Sequence, residues 1–401
     1  MKKTTFDLRT IRMSLEGWYY SFVLMFIGGA AILRRANLLL ILAAMLTAPL
    51  LFNWRFVMSS MRNLVLKRRT PRLAVAGEAF RIDLTLGNMA SMDSWHVQVD
   101  ETLVTEQGKQ STSVAVIVDR VPFKNQTTRS YECVLWKRGH YRLRPSRIST
   151  SYPIGLVRAS AKIDNGESLY VAPPQGTLSS VWADWSEPDE VDEPRGLGNK
   201  GIQDGLFYGI REFRQGDSRR AIHWRTSARL GKLAVKQFEK QTDRELNIVI
   251  DLHGTPEKSN GAELALSFAA TLMEQVCMAG HCEVNLLAVG DLQRRHQGQA
   301  GPSLRESVGI TLAEIQADRH ENLDHRIADF LEYGKHGSPL LVISTRPSIH
   351  RDAIPLESPK HLPYYVLPMD EMDLPCCWIN VTDPNFRELF IPPETLAEVR
   401  S

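Results

Sequence analysis

The sequence predicts three parts in series: an N-terminal transmembrane helical hairpin, an antiparallel β-sandwich-like domain, and an α/β doubly wound domain. Three observations carry this. Two uncharged apolar stretches lie before Arg55; short alternating runs separated by polar breaks follow; and after Glu245 apolar strand-like runs alternate with helical ones. A chain of 401 residues suits two or three folding units. Its 43% hydrophobic and 23% charged content supports packed cores and argues against wholesale disorder. The net charge of +2 does not by itself imply a polyanionic partner.

The anchor is assigned to residues 1–60. Gly17–Leu33 and Ala36–Trp54 are free of charge, and Arg34-Arg35 stands between them. Each stretch is near the lower limit for a membrane-crossing helix, which takes about 17–25 residues. Trp18, Tyr19, Tyr20 and Trp54 sit at the outer ends, where amphipathic aromatics favour the headgroup level. A cleaved signal peptide would need a small-residue cleavage site after one short apolar core, and here a second apolar stretch follows at once. Lys2, Lys3, Arg9 and Arg12 precede the pair; Arg55, Arg62, Lys67, Arg68, Arg69 and Arg72 follow it. The positive-inside bias therefore predicts both termini and the body in the cytoplasm.

Residues 64–175 read as the β-rich domain. Phe80–Leu86, Val97–Val99, Val114–Val118 and Tyr131–Leu135 are short and strand-like, with breaks at Gly87-Asn88, Gly108 and Asn125. Residues 176–205 read as a linker, because Asp184–Pro194 packs six acids and two prolines into eleven positions. Residues 241–370 carry the α/β pattern. Leu246–Asp251, Glu283–Val289, Pro339–Ser344 and Leu362–Leu367 read as strands, and Ala262–Ala279 and Leu323–Lys335 as helices. Residues 371–401 are left as a C-terminal extension. The five cysteines, Cys133, Cys277, Cys282, Cys376 and Cys377, show no zinc spacing and suit thiols packed as small apolar groups.

Residues 206–240 carry the most specific pattern. Gly216-Asp217 reads as a turn capping a helix from Ser218, with Ile222, Trp224 and Ala228 toward its buried side and Gly231 as a left-handed stop. Nine cations against three acids between positions 211 and 240 give a local balance of +6. The segment Arg211-Glu212-Phe213, Gly216-Asp217, Arg219, Ile222, Trp224, Ala228-Arg229, Gly231-Lys232-Leu233 strongly resembles the signature of the bacterial family known as domain of unknown function fifty-eight. Arg138-Gly139-His140-Tyr141 and Tyr152-Pro153-Ile154-Gly155-Leu156 look like two further family elements, with Tyr152 and Ile154 where Asp and Phe are usual.

The resemblance implies two membrane helices, a von Willebrand A-like domain and partnership with a MoxR-type AAA+ ATPase, often beside a membrane-bound transglutaminase-like protein. His223 beside Asp217 and Ser227 could suggest a hydrolase, yet no catalytic activity is established for the family, and a scaffold or adaptor is expected rather than an enzyme. The residues agree: no serine lies in a nucleophile elbow and no Cys/His pair has a catalytic setting. The alternative function is binding of anionic lipid or nucleic acid through residues 211–240. Nucleic acid is the weaker of these, because Trp224 is the only aromatic between Arg214 and Val235 and gives no stacking series. No cofactor is expected. A von Willebrand A-like domain can hold Mg²⁺ on an Asp-x-Ser-x-Ser loop, and here Asp251 and Thr255 fit that loop while His253 replaces a hydroxyl. Arg346 stands where a further carboxylate would help. Asp251 is thus either a degenerate metal ligand or a carboxylate that caps a helix or pairs with an arginine.

Overall fold

The computed structural model describes residues 7–61, 64–90, 92–105, 111–163, 166–179, 207–213, 222–238, 244–255, 260–280, 282–320, 323–332, 340–347, 364–369 and 372–394. The acidic stretch Asp184–Pro194 and the signature residues Gly216, Asp217 and Arg219 lie outside them. The chain divides into two units. One comprises residues 1–175, 308–315 and 393–401, and the other residues 176–307 and 316–392.

The first unit opens with strand β1 (Asp7–Met13), followed by helices α1 (Leu15–Leu33) and α2 (Asn37–Ser60). Both helices are long and apolar enough to cross a bilayer. At 1.5 Å per residue, the 19 residues of α1 span about 28 Å, close to a hydrocarbon core of about 30 Å. The Tyr20 hydroxyl donates to the Leu46 carbonyl at 2.7 Å and ties the pair together. These helices place the chain in association with a membrane.

Strands β2 (Leu64–Arg69), β3 (Leu73–Val75), β4 (Ala79–Asn88), β5 (Ser94–Thr105), β6 (Ser111–Val121), β7 (Gln126–Val134), β8 (Gly139–Leu143), β9 (Ser146–Thr150), β10 (Val157–Ile163) and β11 (Ser168–Ala172) complete this unit. They form two sheets. One runs β2-β4-β7; the other runs β1-β10-β9-β5-β8-β11-β3, with β6 on β5. Pairing is antiparallel except between β11 and β3. Alternation along β4 buries Ile82, Leu84 and Leu86, which share one core with Val97, Val99 and Ile148 of the other sheet.

Within this unit the Arg68 and Glu101 side chains are 2% and 0% exposed and pair at 2.7 Å across the two sheets. Ser146 and Arg68 donate to one Glu101 oxygen and the Tyr131 hydroxyl donates to the other at 2.6 Å. Burial alone would weaken the Arg68 charge, but Glu101 and Glu167 together hold its pKa above the ordinary value. Such a pair persists only because each charge is neutralised and its hydrogen-bonding groups are satisfied.

The helices are seated in the β-rich unit, with no spacer between them. Ser14 caps α1, its Oγ accepting from the Gly17 amide at 3.0 Å, while its own amide and hydroxyl donate to the Leu156 carbonyl. A Cβ at Gly17 would collide with that same carbonyl oxygen, so only glycine allows this approach. On α2, fully buried Asn53 accepts from the Val157 amide at 2.9 Å, and Val57 and Met61 enter the inter-sheet core. The second helix therefore runs past the expected end at Trp54, its last two turns packing on protein.

The second unit holds β12 (Thr177–Leu178), β13 (Phe207–Glu212), α3 (Trp224–Leu230), β14 (Ala234–Phe238), β15 (Arg244–Asp251), α4 (Asn260–Ala279), β16 (Cys282–Val289), β17 (Gln293–Gln299), α5 (Pro302–Glu314), α6 (Leu323–Leu331), β18 (Leu340–Ser344), β19 (Tyr364–Met369), β20 (Met372–Asn380), α7 (Phe386–Leu389) and β21 (Phe390–Ile391). The second half of α5 groups with the first unit, where Arg138 Nη1 donates to the Leu312 and Ile315 carbonyls, both at 2.7 Å. The main sheet runs β17-β16-β15-β18-β20-β19, its central four strands parallel and both edges antiparallel. Helix α4 also has the length and apolarity of a span, yet two-thirds of its apolar window is buried in protein.

Two expected boundaries shift. Residues 372–380, placed in the C-terminal extension, belong to the main sheet, because β20 pairs in parallel with β18. Buried Cys376, Cys377, Trp378 and Ile379 give that strand the apolar content needed there. Residues 177–178, placed in the linker, pair with β21 as strand β12.

Removing one member of a buried ion pair strands the other. Glu101→Ala is therefore expected to cost about 3–5 kcal/mol in chemical denaturation of the detergent-solubilised chain. Arg81→Ala, which breaks the exposed Arg81–Asp83 pair, should leave the midpoint nearly unmoved.

Candidate functional site

Asp251 ends β15 and lies opposite Ser344, the last residue of β18, at the carboxyl edge of the parallel strands. Ligand sites of open α/β sheets form at this edge. Here the carboxylate is fully buried and surrounded by donors. Its Oδ1 lies 2.6 Å from His320 Nε2, and its Oδ2 accepts from Ser344 Oγ at 2.6 Å and Arg346 Nε at 2.9 Å. A carboxylate accepts, so His320 carries its proton on Nε2. Burial pushes the Asp251 pKa up, but the bonds from His320 and Ser344 and the Arg346 charge outweigh it and hold the carboxylate below its ordinary range.

The loops around this group are pinned by backbone bonds. Leu252 donates to Val289 and Asp318 donates to Leu252, while Thr345 donates its amide to Asp251 and its hydroxyl to the His253 carbonyl at 2.7 Å. Trp378 Nε1 donates to the Arg346 carbonyl and holds the arginine's backbone over the site. His253 and His320 meet edge to face, with centroids 5.4 Å apart.

This donor set does not suit the divalent cation weighed for Asp251 and Thr255. Both Asp251 oxygens face hydrogen-bond donors, and one donor is a guanidinium that would repel a metal ion. Thr255 is half-buried in the loop beyond Gly254. No cluster of three or more His, Cys, Asp or Glu able to hold a metal occurs among the described residues. The second reading of Asp251 is the one the geometry follows: it pairs with an arginine, reinforced by a histidine and a serine.

The signature segment forms a separate small motif in which β13 and β14 pair antiparallel, with Arg211 opposite Val235 and Glu212 opposite Ala234. Helix α3 is capped by His223, whose Nδ1 accepts from the Thr226 amide, and Gly231 at φ 66° closes it as expected. Ser227 locks the helix to β14: its Oγ accepts from the Ala234 amide at 2.9 Å and donates to the His223 carbonyl at 3.1 Å. The Phe213 amide donates to the Leu233 carbonyl at 2.9 Å and closes the other side of the motif.

The expected facing of this helix is corrected. Ile222 is buried, but it precedes the helix, while Trp224 is 67% exposed and Ala228 also faces outward. The buried helical residue is Ser227. The described helix is capped by His223, and its polar Ser227 turns in to bond Ala234; the expected Gly216-Asp217 turn and a start at Ser218 lie outside the described residues. Arg225, Arg229 and Lys232 are exposed too, and Lys232 meets Glu212 at 3.1 Å on the surface. Sequence reading missed His320 and Trp378, and it weighed Ser227 only as a hydrolase candidate, not as the bond to β14. Each sits far along the chain from its partner or carries no spacing signal.

Residues 209–296, which run from β13 through most of β17, match the family described as "Protein of unknown function DUF58". "Uncharacterized protein YeaD" of Bacillus subtilis (strain 168) is 25% identical over 158 residues, covering 39% of this chain and 38% of that protein. The chain thus spans well under half the length of that relative. Among solved structures, a β-glucosidase from Listeria innocua aligns over 27% of this chain and 16% of its own at 16% identity and a TM-score of 0.20. The CARDB domain of the PF1109 protein from Pyrococcus furiosus aligns over 27% and 87% at 10% identity and a TM-score of 0.19. Likenesses at that score carry no argument about this protein.

Two outcomes test the site. Asp251 contributes stability above its unfolded pKa of about 3.9, and loses it as pH falls through its depressed folded value. The gap in denaturation midpoint between wild type and Asp251→Asn should therefore be full at neutral pH and narrow in acid. Millimolar Mg²⁺ and EDTA should leave the melting temperature of wild type equal; a rise with Mg²⁺ would refute the donor-set argument.

Proposed function

We propose that this DUF58-family chain is a bilayer-anchored, non-catalytic adaptor that presents the β13–α3–β14 motif to a macromolecular partner. A MoxR-type AAA+ ATPase is the partner that the family implies, in assembly or maturation of other proteins, with a transglutaminase-like membrane protein as a further associate. In this reading α1 and α2 both span the membrane, the termini and both units lie in the cytoplasm, and the second unit is von Willebrand A-like.

The observation that carries the proposal is the exposed tryptophan. Trp224 and Ala228 share one helical face, with Arg225 and Arg229 beside them, and Trp224 remains 67% exposed. Tryptophan and arginine dominate the energetic centres of protein interfaces. A solvent-facing Trp on a helix fixed by the Ser227 bonds is a rigid anchor for a partner's pocket. The closed Asp251 cluster supports a recognition role, since His320, Ser344 and Arg346 already occupy both of its oxygens. In the runner-up reading, anionic lipid or nucleic acid on the same cations, nucleic acid lacks the series of stacking aromatics that single strands use.

The test uses the full chain in detergent, because cutting away residues 1–60 would remove β1 from its sheet and Val57 from the core. Immobilised wild type should retain a MoxR-type ATPase of the same organism, and folded Trp224→Ala and Arg225→Glu variants should bind it about 10- to 30-fold more weakly. Equal retention by all three would sink the proposal. Salt-sensitive capture of anionic vesicles with no ATPase retention would favour the runner-up.

A further inference from the structure

Three connections of the β-rich unit gather at the end of its sheets where the helices enter. Register shows this directly. Leu64, which follows α2, pairs with Asn88 at the end of β4; Gly87 pairs with Gln126 at the start of β7; Ser94 of β5 pairs with Val121 of β6; and Ala159 of β10 pairs with Thr150 of β9. The β4–β5, β6–β7 and β9–β10 connections therefore all project from this end.

Each connection carries a large apolar side chain left in solvent: Met89 at 70%, Phe123 at 56% and Ile154 at 48% exposure, with Met92 also exposed. Elsewhere such residues would be turned inward or replaced by polar ones, as loop chemistry favours. Their backbone is tied down. The Asn88 amide donates to the Asn125 carbonyl, the Asn88 side chain bonds the Met92 and Val121 carbonyls, and the Phe123 amide donates to Asp93.

These loops are continuous with the helix ends. Met92 Sδ lies 4.0 Å from Ser59 Oγ, the Ser94 hydroxyl donates to the Ser60 carbonyl at 2.8 Å, and Tyr152 packs on Phe56 at 5.6 Å. Trp18 and Trp54 are exposed on the same helix ends and suit the headgroup level. Ser59 follows Trp54 by five residues, or about 7 Å along the axis, comparable to the depth of one headgroup layer. The β9–β10 turn lies nearer the bilayer, level with Asn53 and Phe56, and Lys124 at the tip of the β6–β7 turn adds an exposed cation.

We infer that Met89, Met92, Phe123 and Ile154 are seated in the headgroup–acyl boundary of the bilayer, so that the β-rich unit rests on the membrane as a collar around its own helices. The occupant is lipid because the apolar tips lie beside the point where the apolar helix surface meets the β unit. This rests on α1 and α2 spanning the membrane. The collar fixes the height and tilt of the β unit above the lipid, which two helices alone would leave free.

The experiment places a photoreactive benzophenone amino acid at Met89, Phe123, Ile154, Phe26 or Trp136 of the full chain. Each variant is reconstituted into phosphatidylethanolamine–phosphatidylglycerol vesicles and adducts are read by mass spectrometry. Phe26 is mid-helix; Trp136 is equally exposed but follows the far end of β7, roughly 30 Å away at 3.3 Å per residue. Lipid adducts are expected at Phe26, Ile154, Met89 and Phe123, with Ile154 exceeding the other two loop positions, and none at Trp136. Adducts at Phe26 without any in the loops would overturn the collar alone. Loss of the Phe26 adduct as well would overturn the spanning reading beneath it.

Discussion

The architecture of the first unit depends on a single carbonyl oxygen, that of Leu156. It receives the amide and the hydroxyl of Ser14 and is approached so closely by Gly17 that no side chain fits there. A carbonyl with two lone pairs can accept both donors, and this fixes where the first helix leaves the sheet. Asn53 does the same for the second helix through the neighbouring Val157 amide. Because the two helices are bonded at consecutive residues of one strand entrance, any tilt of the pair is transmitted to the sheets.

Buried charge follows one logic in both units. Arg68–Glu101 and Arg346–Asp251 each pair a guanidinium with a carboxylate whose remaining lone pairs are met by hydroxyl or imidazole donors. An isolated ion of either sign would be costly in such surroundings, and a satisfied network is tolerated. In the second unit the consequence is chemical. A carboxylate at the carboxyl edge of a parallel sheet is a natural ligand, and this one is already engaged by a cation belonging to the chain.

Much of this was legible in the sequence where patterns are local. Uncharged length marked the two helices, alternation marked β4 through β7, and the apolar runs marked β15, β16 and β18. Strand β17 was not legible: Gln293–Gln299 reads QRRHQGQ, an exposed edge with no apolar signal. Strand β20 was hidden by Pro375 and by its position after a region without clear pattern. The signature helix was legible at its C-terminal glycine, while its histidine cap is a weak signal and the expected Gly216-Asp217 turn lies outside the described residues. The Asp251 cluster joins residues 69 and 93 positions apart, which no spacing rule reaches.

Strand β1 carries a consequence for how the molecule assembles. It is made long before its hydrogen-bonding partner β10, with Thr10 and Ser160 separated by 150 positions. On a ribosome this segment must wait, unpaired, while both apolar helices and nearly the whole β unit are synthesised. Closure of that sheet is thus a late, non-local event, entropically slowed by its long loop.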